Sequence, residues 1–276
     1  MNNAKSSLEI FAAYSVTRGD SILTDTFIGS FYINSTHTMQ HAEILSLAGL
    51  RIDGRRPEEM RSLRHTFGVN PEANGSVFFE QGLNKLMVNV HGPHEPTRRV
   101  SQDEEAEVVV RVSQAPFAGT EWKKKRVGDR KIVEMEAKIK EILEAVIDVK
   151  LYPKSQITVS VNIFEADGSS LCAMINAIGM ALMDAGIAMA DMIVACSVGN
   201  IKGMICCDCT QVEQNSGGAY VPVVMKARSQ EIVYLNLDNR LSADTLETVL
   251  HAAQKGCEKF RLYAEEAIKG HMEAAS

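Results

Sequence analysis

The segment Trp122-Lys-Lys-Lys-Arg-Val-Gly-Asp-Arg-Lys131 carries six cationic side chains against one acid. Cations spaced that closely attract a polyanion through its phosphates, without regard to base sequence and less strongly as salt rises. Lys123, Lys124, Lys125 and Arg126 are therefore candidate contacts to a nucleic-acid backbone. Trp122 is the only tryptophan in the chain. It is expected to anchor its loop to the core or to a partner, with stacking on a base as the alternative. Arg98 and Arg99 form a second basic pair in a loop after Pro96, directly followed by the acidic run Asp103-Glu-Glu-Ala-Glu107, which could neutralise them. Ser169 and Ser170 open an apolar helical run, where unpaired backbone N–H groups attract an anion.

Other polar clusters point to less. His91 and His94 flank Gly-Pro in an expected turn and have no third ligand beside them, so no metal site is expected. Cys172, Cys196, Cys206, Cys207, Cys209 and Cys257 fit neither a paired CxxC zinc site nor a small disulfide framework, and read as free thiols.

The chain has 276 residues and a formal net charge of -6. The molecule as a whole is not a generic polyanion binder, so any phosphate contact must come from a local patch. Hydrophobic residues make up 45% and charged residues 23%, as in an ordinary globular protein. No run approaches the roughly 18 apolar residues of a membrane span, and no membrane partner is expected.

Several elements must position these groups. Residues 1–40 sustain no helical period and are expected to be a poorly ordered N-terminal extension. From residue 50 the pattern becomes regular. Strands are expected at 63–69, 77–80, 85–90 and 107–112, punctuated by turns at Gly82 and Gly92. A helix over 131–149 follows, with Ile132, Met135, Ile139, Leu143 and Val146 as one apolar stripe. A strand at 157–164 leads to a helix over 169–185 that is apolar nearly all round and so belongs between layers. Strands at 192–197, 203–209, 220–225 and 232–237 precede a last amphipathic helix over 242–269. The fold class is α/β of the α+β type, two related halves in one compact domain, with helices segregated to one side of the sheets.

Nine short strings occur in order along this frame: Arg51-Ile-Asp-Gly-Arg-Arg-Pro57, Asn74-Gly-Ser, Glu80-Gln-Gly82, His91-Gly-Pro-His-Glu95, Gly128-Asp-Arg-Lys131, Leu151-Tyr-Pro153, Ala166-Asp-Gly168, Leu182-Met-Asp-Ala-Gly-Ile187 and Ser197-Val-Gly199. Through them the chain resembles the ribonuclease PH family from about Leu50 to its C-terminus. The resemblance implies a pair of βαβα units over 41–276 and assembly into a six-membered ring around a central RNA channel. In the RNA exosome such subunits stand beside siblings of the same fold, under RNA-binding cap proteins, in nucleus, nucleolus and cytoplasm. The family activity is 3'-to-5' phosphorolysis of RNA, with inorganic phosphate as nucleophile.

That chemistry needs arginines and hydroxyl or N–H donors around the phosphate, and a carboxylate as acid or metal anchor at the departing oxygen. By resemblance the phosphate site comprises Arg130, Ser169 and Ser170, and Arg98 and Arg99 lie towards the channel mouth. Where active relatives carry a second phosphate arginine this chain has Leu171, which has neither charge nor donor. Of two aspartates six residues apart in active relatives, Asp208 matches the first, and the second position is Gln214. Glu213 is next door, but in extended backbone it would point to the opposite face. Each loss is worth on the order of 10²-fold in rate. The expectation is a non-catalytic or weakly catalytic core ring subunit of the RNA exosome that binds and threads RNA, with no cofactor assigned. The alternative is an exoribonuclease active beside a sibling subunit, using inorganic phosphate and Mg2+.

Overall fold

The computed structural model describes residues 46, 49–96, 105–122, 128–201 and 203–275. The N-terminal extension and the basic residues Arg98, Arg99, Lys123, Lys124, Lys125 and Arg126 lie outside the described residues.

Strands β1 (Leu63–Phe67), β2 (Gly75–Gln81), β3 (Asn84–His94), β4 (Glu107–Gln114) and β5 (Gln156–Glu165) form a five-stranded sheet in the order β1-β2-β3-β5-β4. All neighbours are antiparallel except β4 and β5, which run parallel. Strands β6 (Ile193–Ile201), β7 (Met204–Cys207), β8 (Ala219–Lys226) and β9 (Ile232–Leu235) form an antiparallel sheet in the order β7-β6-β8-β9. The helices are α1 (Arg130–Glu144), α2 (Ser170–Asp184), the short α3 (Gln211–Gln214) and α4 (Ala243–Ala275).

Alternation builds the first sheet. Ile157, Val159, Val161 and Ile163 of β5 are buried, as are Leu86, Val88 and Val90 of β3, because every second residue faces the helical layer. Helix α2 fills that layer. Its residues from Cys172 to Leu182 are all buried, and it packs on β2, β3 and β6, so both sheets cover it. Helix α1 buries Ile139, Ile142 and Leu143 and packs on β4.

The second sheet departs from the expected one-sided arrangement. Ile193 and Ala195 of β6 join Cys172 and Ile175 of α2, whereas Val194, Cys196 and Val198 join Val249, Ala253 and Cys257 of α4. Strand alternation puts these two sets on opposite faces, so helices cover the sheet on both sides. The near-continuous apolar run of β6 follows from that double burial.

Of the expected boundaries that move, three have a clear local cause. The segment from His91 to His94 is not a turn, because β3 continues through it, with an irregular ladder to β5 between those two residues. Gly92 sits there at φ +143°, and a Cβ on it would lie 2.9 Å from the Gln156 carbonyl oxygen. Helix α1 stops at Ala145, whose N–H returns to the Glu141 carbonyl, so that Val146 and Ile147 can turn into the core. Strand β7 ends at Cys207, because Asp208 adopts left-handed backbone at φ +54°.

Candidate functional site around Asp208

The turn after β7 brings residues from four parts of the chain together. Asp208 is 1% exposed. Its carboxylate accepts three hydrogen bonds from one residue, Arg61: from the backbone N–H at 3.0 Å, from Nε at 3.0 Å and from Nη2 at 2.6 Å. The Arg61 guanidinium continues to the carbonyl oxygens of Asp167, at 2.6 Å, and Gly168, at 3.4 Å. The Asp208 carbonyl oxygen accepts from Arg51 Nη2 at 2.9 Å and from Arg55 at 3.3 Å. Three arginines therefore surround one aspartate. Burial opposes its ionisation, but the Arg61 hydrogen bonds and charge outweigh that and hold the carboxyl below its ordinary range.

A second buried pair stands beside the first. Arg51 donates from Nε to Glu213 Oε1 at 2.7 Å, closes a second bond from Nη2 to Glu213 Oε2, and reaches the Cys207 carbonyl from Nη1 at 2.5 Å. The Arg51–carboxylate pairing is forked, the geometry that makes arginine hard to replace by lysine. Glu213 also accepts from the Thr210 N–H at 2.8 Å, while the Thr210 hydroxyl takes the Glu213 N–H, a capping box that starts α3. Burial raises the Glu213 carboxyl, and the Arg51 bond more than reverses this, so it too is held low.

The backbone from 211 to 214 is helical, not extended as expected. Glu213 points inward to Arg51, and Gln214 ends the helix half-buried. Glu213 thus cannot replace the missing second acid, because its oxygens are already bound. A divalent cation does not fit this site: Asp208 is saturated by Arg61, Glu213 by Arg51, and Gln214 is neutral.

The loop into α2 is equally committed. Asn84 clamps it, accepting from the Asp167 N–H at 2.6 Å and donating to the Gly168 carbonyl at 2.8 Å. Ser169 is buried in left-handed backbone, with its hydroxyl 2.7 Å from the Cys209 carbonyl and bonded to Ser197 Oγ. The Ser169 side chain, expected to bind phosphate, is therefore engaged inside the protein. Ser170 is the half-buried first residue of α2, and Leu171 packs against both core clusters on either side of the helix. Arg130 stands exposed at the start of α1, which Asp129 caps through the Lys131 N–H at 3.2 Å.

The structure thus assembles Ser169, Asp208 and Glu213 with partners that the sequence alone does not assign. Arg51 opens the first family string, so its type and place are visible there, although its partner lies 162 positions away. Arg61 and Asn84 belong to no string and give no signal.

Residues 59–188 match the 3' exoribonuclease family, domain 1, and residues 191–256 match domain 2 of the same family. This chain belongs to the 3' exoribonuclease, or ribonuclease PH, family. The domain boundary falls between α2 and β6, so the Asp208 cluster joins the two family domains: Arg61 and Asn84 come from the first, Asp208 and Glu213 from the second. Among relatives, the "Exosome complex component RRP41" of Mus musculus is 38% identical over 240 residues, 86% of this chain and 98% of that one. The "Exosome complex component Rrp41" of Methanopyrus kandleri is 37% identical over 228 residues, 82% of this chain and 95% of that one. The crystal structure of rice Rrp46 superposes with a TM-score of 0.70 at 21% identity, covering 78% of this chain and 98% of that one. This likeness bears on the fold alone, and it agrees with the mixed α/β arrangement of the ribonuclease PH family.

Proposed function

We propose that this chain is a core ring subunit of an RNA exosome, non-catalytic or weakly catalytic, that supports 3'-to-5' RNA processing and degradation by binding and threading RNA. The observation that carries this reading is the span of the likeness: relatives named as exosome components match over 95–98% of their own length. The weak chemistry rests on the site. Leu171, half-buried against the core, stands where an arginine would meet phosphate, Gln214 is uncharged, and Asp208 already accepts three bonds. A carboxylate that saturated is a poor proton carrier. The partners are RNA, sibling ribonuclease PH-type ring subunits and RNA-binding cap subunits. The compartments are nucleus, nucleolus and cytoplasm, an assignment that rests on the exosome relatives. Among the described residues no helix is long and apolar enough to cross a membrane.

The test is phosphorolysis by a ring reconstituted with sibling subunits, with RNA, inorganic phosphate and Mg2+. The expected release of nucleoside diphosphates is at least on the order of 10²-fold below that of an active phosphorolytic ring. A phosphate-dependent rate that falls on Arg130→Ala would establish the active alternative instead.

The basic residues carry a separate prediction. Replacing Lys123, Lys124, Lys125 and Arg126 by alanine is expected to weaken single-stranded RNA binding at low salt. It should also make the slope of log K against log salt less negative by about 0.7 for each phosphate that is no longer neutralised. The same measurement on Arg98→Ala with Arg99→Ala reports on the proposed channel-mouth pair, and unchanged affinity and slope would remove these residues from the RNA path.

A further inference from the structure

Two large aromatic side chains of the loop after β4 stand in water. Phe117 is 59% exposed and Trp122 is 75% exposed. Their ring centroids lie 6.4 Å apart at an interplanar angle of 41°, so they offer two adjacent faces. Trp122 therefore does not anchor its loop to the core.

The base of this loop is nevertheless fixed. Ala118, next to Phe117, is buried. Its N–H donates to the Ala115 carbonyl at 3.0 Å, and its carbonyl accepts from the Ala166 N–H at 2.8 Å. The Ala115 N–H in turn donates to the Ile163 carbonyl at 2.9 Å. Ala166 directly precedes Asp167, which Arg61 and Asn84 hold against Asp208. Hydrogen bonds thus tie the base of the aromatic loop, at Ala115 and Ala118, to the strand end that leads into the Asp208 cluster.

We propose that Phe117 and Trp122 form a stacking platform for the nucleobases of single-stranded RNA, a site that rests on the RNA-threading reading above. Every base has a flat face, so such a platform is tolerant of sequence, as threading requires. Charge favours RNA over a protein partner as the occupant. Lys123-Lys-Lys-Arg126 follows Trp122 directly, within about 14 Å of chain even at full extension. Exposed Arg130 and Lys131 come soon after. Protein–protein interface cores are depleted in lysine, whereas a single strand needs cations for its phosphates beside rings for its bases.

Trp122 is the only tryptophan, so its fluorescence reports on this site alone. The full chain would be titrated at low salt with fluorescein-labelled oligoadenylate, oligouridylate and an abasic ribose-phosphate oligomer of equal length. Binding would be read by anisotropy in parallel. The expected result is quenching by both base-bearing strands and not by the abasic one. Trp122→Ala should weaken binding about ten-fold, and Trp122→Phe should retain most of the affinity. RNA that binds without changing Trp122 emission, and binds Trp122→Ala as well as wild type, would overturn the platform and leave the threading reading intact. No RNA binding by the chain or by its reconstituted ring would sink the threading reading, and the platform with it. Trp122→Ala that blocks assembly with sibling subunits but leaves RNA affinity unchanged would make the pair a subunit contact and overturn the proposal.

Discussion

Arg61→Met is expected to destabilise the chain by about 3–5 kcal/mol, the usual consequence of leaving a buried charge without its partner. Asp208 would keep its place beneath β7 but lose all its side-chain bonds to Arg61, and Asp167 and Gly168 would lose a donor to their carbonyls. The double variant Arg61→Met, Asp208→Asn is expected to recover much of the stability, because no charge is then stranded, and Asn tolerates the left-handed backbone and still accepts from the residue-61 N–H. Urea unfolding of wild type and the two variants measures this directly. A single-variant effect under about 1 kcal/mol would mean that Asp208 reaches water when Arg61 is gone.

The pH dependence gives the same pairing a second readout. The Asp208 carboxyl is held below its ordinary range in the folded chain. Its contribution to stability is therefore complete above the unfolded carboxyl pKa of about 4 and is lost as pH falls through the folded value. In Arg61→Met the residue-61 N–H and Gln81 still donate, but the guanidinium's bonds and charge are gone and burial, the largest influence, raises the carboxyl, so acidification neutralises a stranded charge. The stability gap between wild type and variant should therefore narrow as pH falls towards the unfolded carboxyl pKa of about 4. A gap independent of pH would remove the ion pair as its cause.

Gly168→Ala is expected to cost about 2–4 kcal/mol. Gly168 has φ +67°, where any side chain is strained, and a Cβ there would lie 2.5 Å from both the Gln211 nitrogen and the Thr210 carbonyl carbon. Those atoms belong to the backbone that starts α3, so they cannot rotate away. The substitution would push the α2 entrance off α3 and disturb the Asp208 and Glu213 pairs together. Gly54→Ala separates the two causes. Gly54 has φ +77° with nothing within 4 Å, so it bears the backbone strain alone, about 1 kcal/mol. Thermal unfolding of both variants checks the order, and equal effects would mean that the close approach is relieved by movement of α3.

Much of the fold is legible in the sequence because its causes are local. The alternation of β3 and β5, the apolar stripe of α1 and the all-round burial of α2 follow from one period each, and that period is written in consecutive residues. The turn expected at His91 to His94 fails for the same reason. Gly-Pro reads locally as a chain reversal, but the segment is held extended by β5, more than 60 positions later. Helices on both faces of the second sheet are not legible, because a fully apolar strand does not say what covers it.

The sequence by itself determined the family, through nine strings in order, and the absence of two charged groups at Leu171 and Gln214, because a side chain's chemistry is fixed by its type. Tertiary structure alone decided what the remaining groups do. Asp208 and Glu213 are carboxylates in any reading, but only folding shows them saturated by Arg61 and Arg51, since charge pairs form across 147 and 162 positions and no periodicity encodes them. Likewise Trp122 is a large apolar ring on paper, and only the folded chain shows it three-quarters exposed. Residue type sets which bonds a group can make. The neighbours that folding supplies decide which of them are already made.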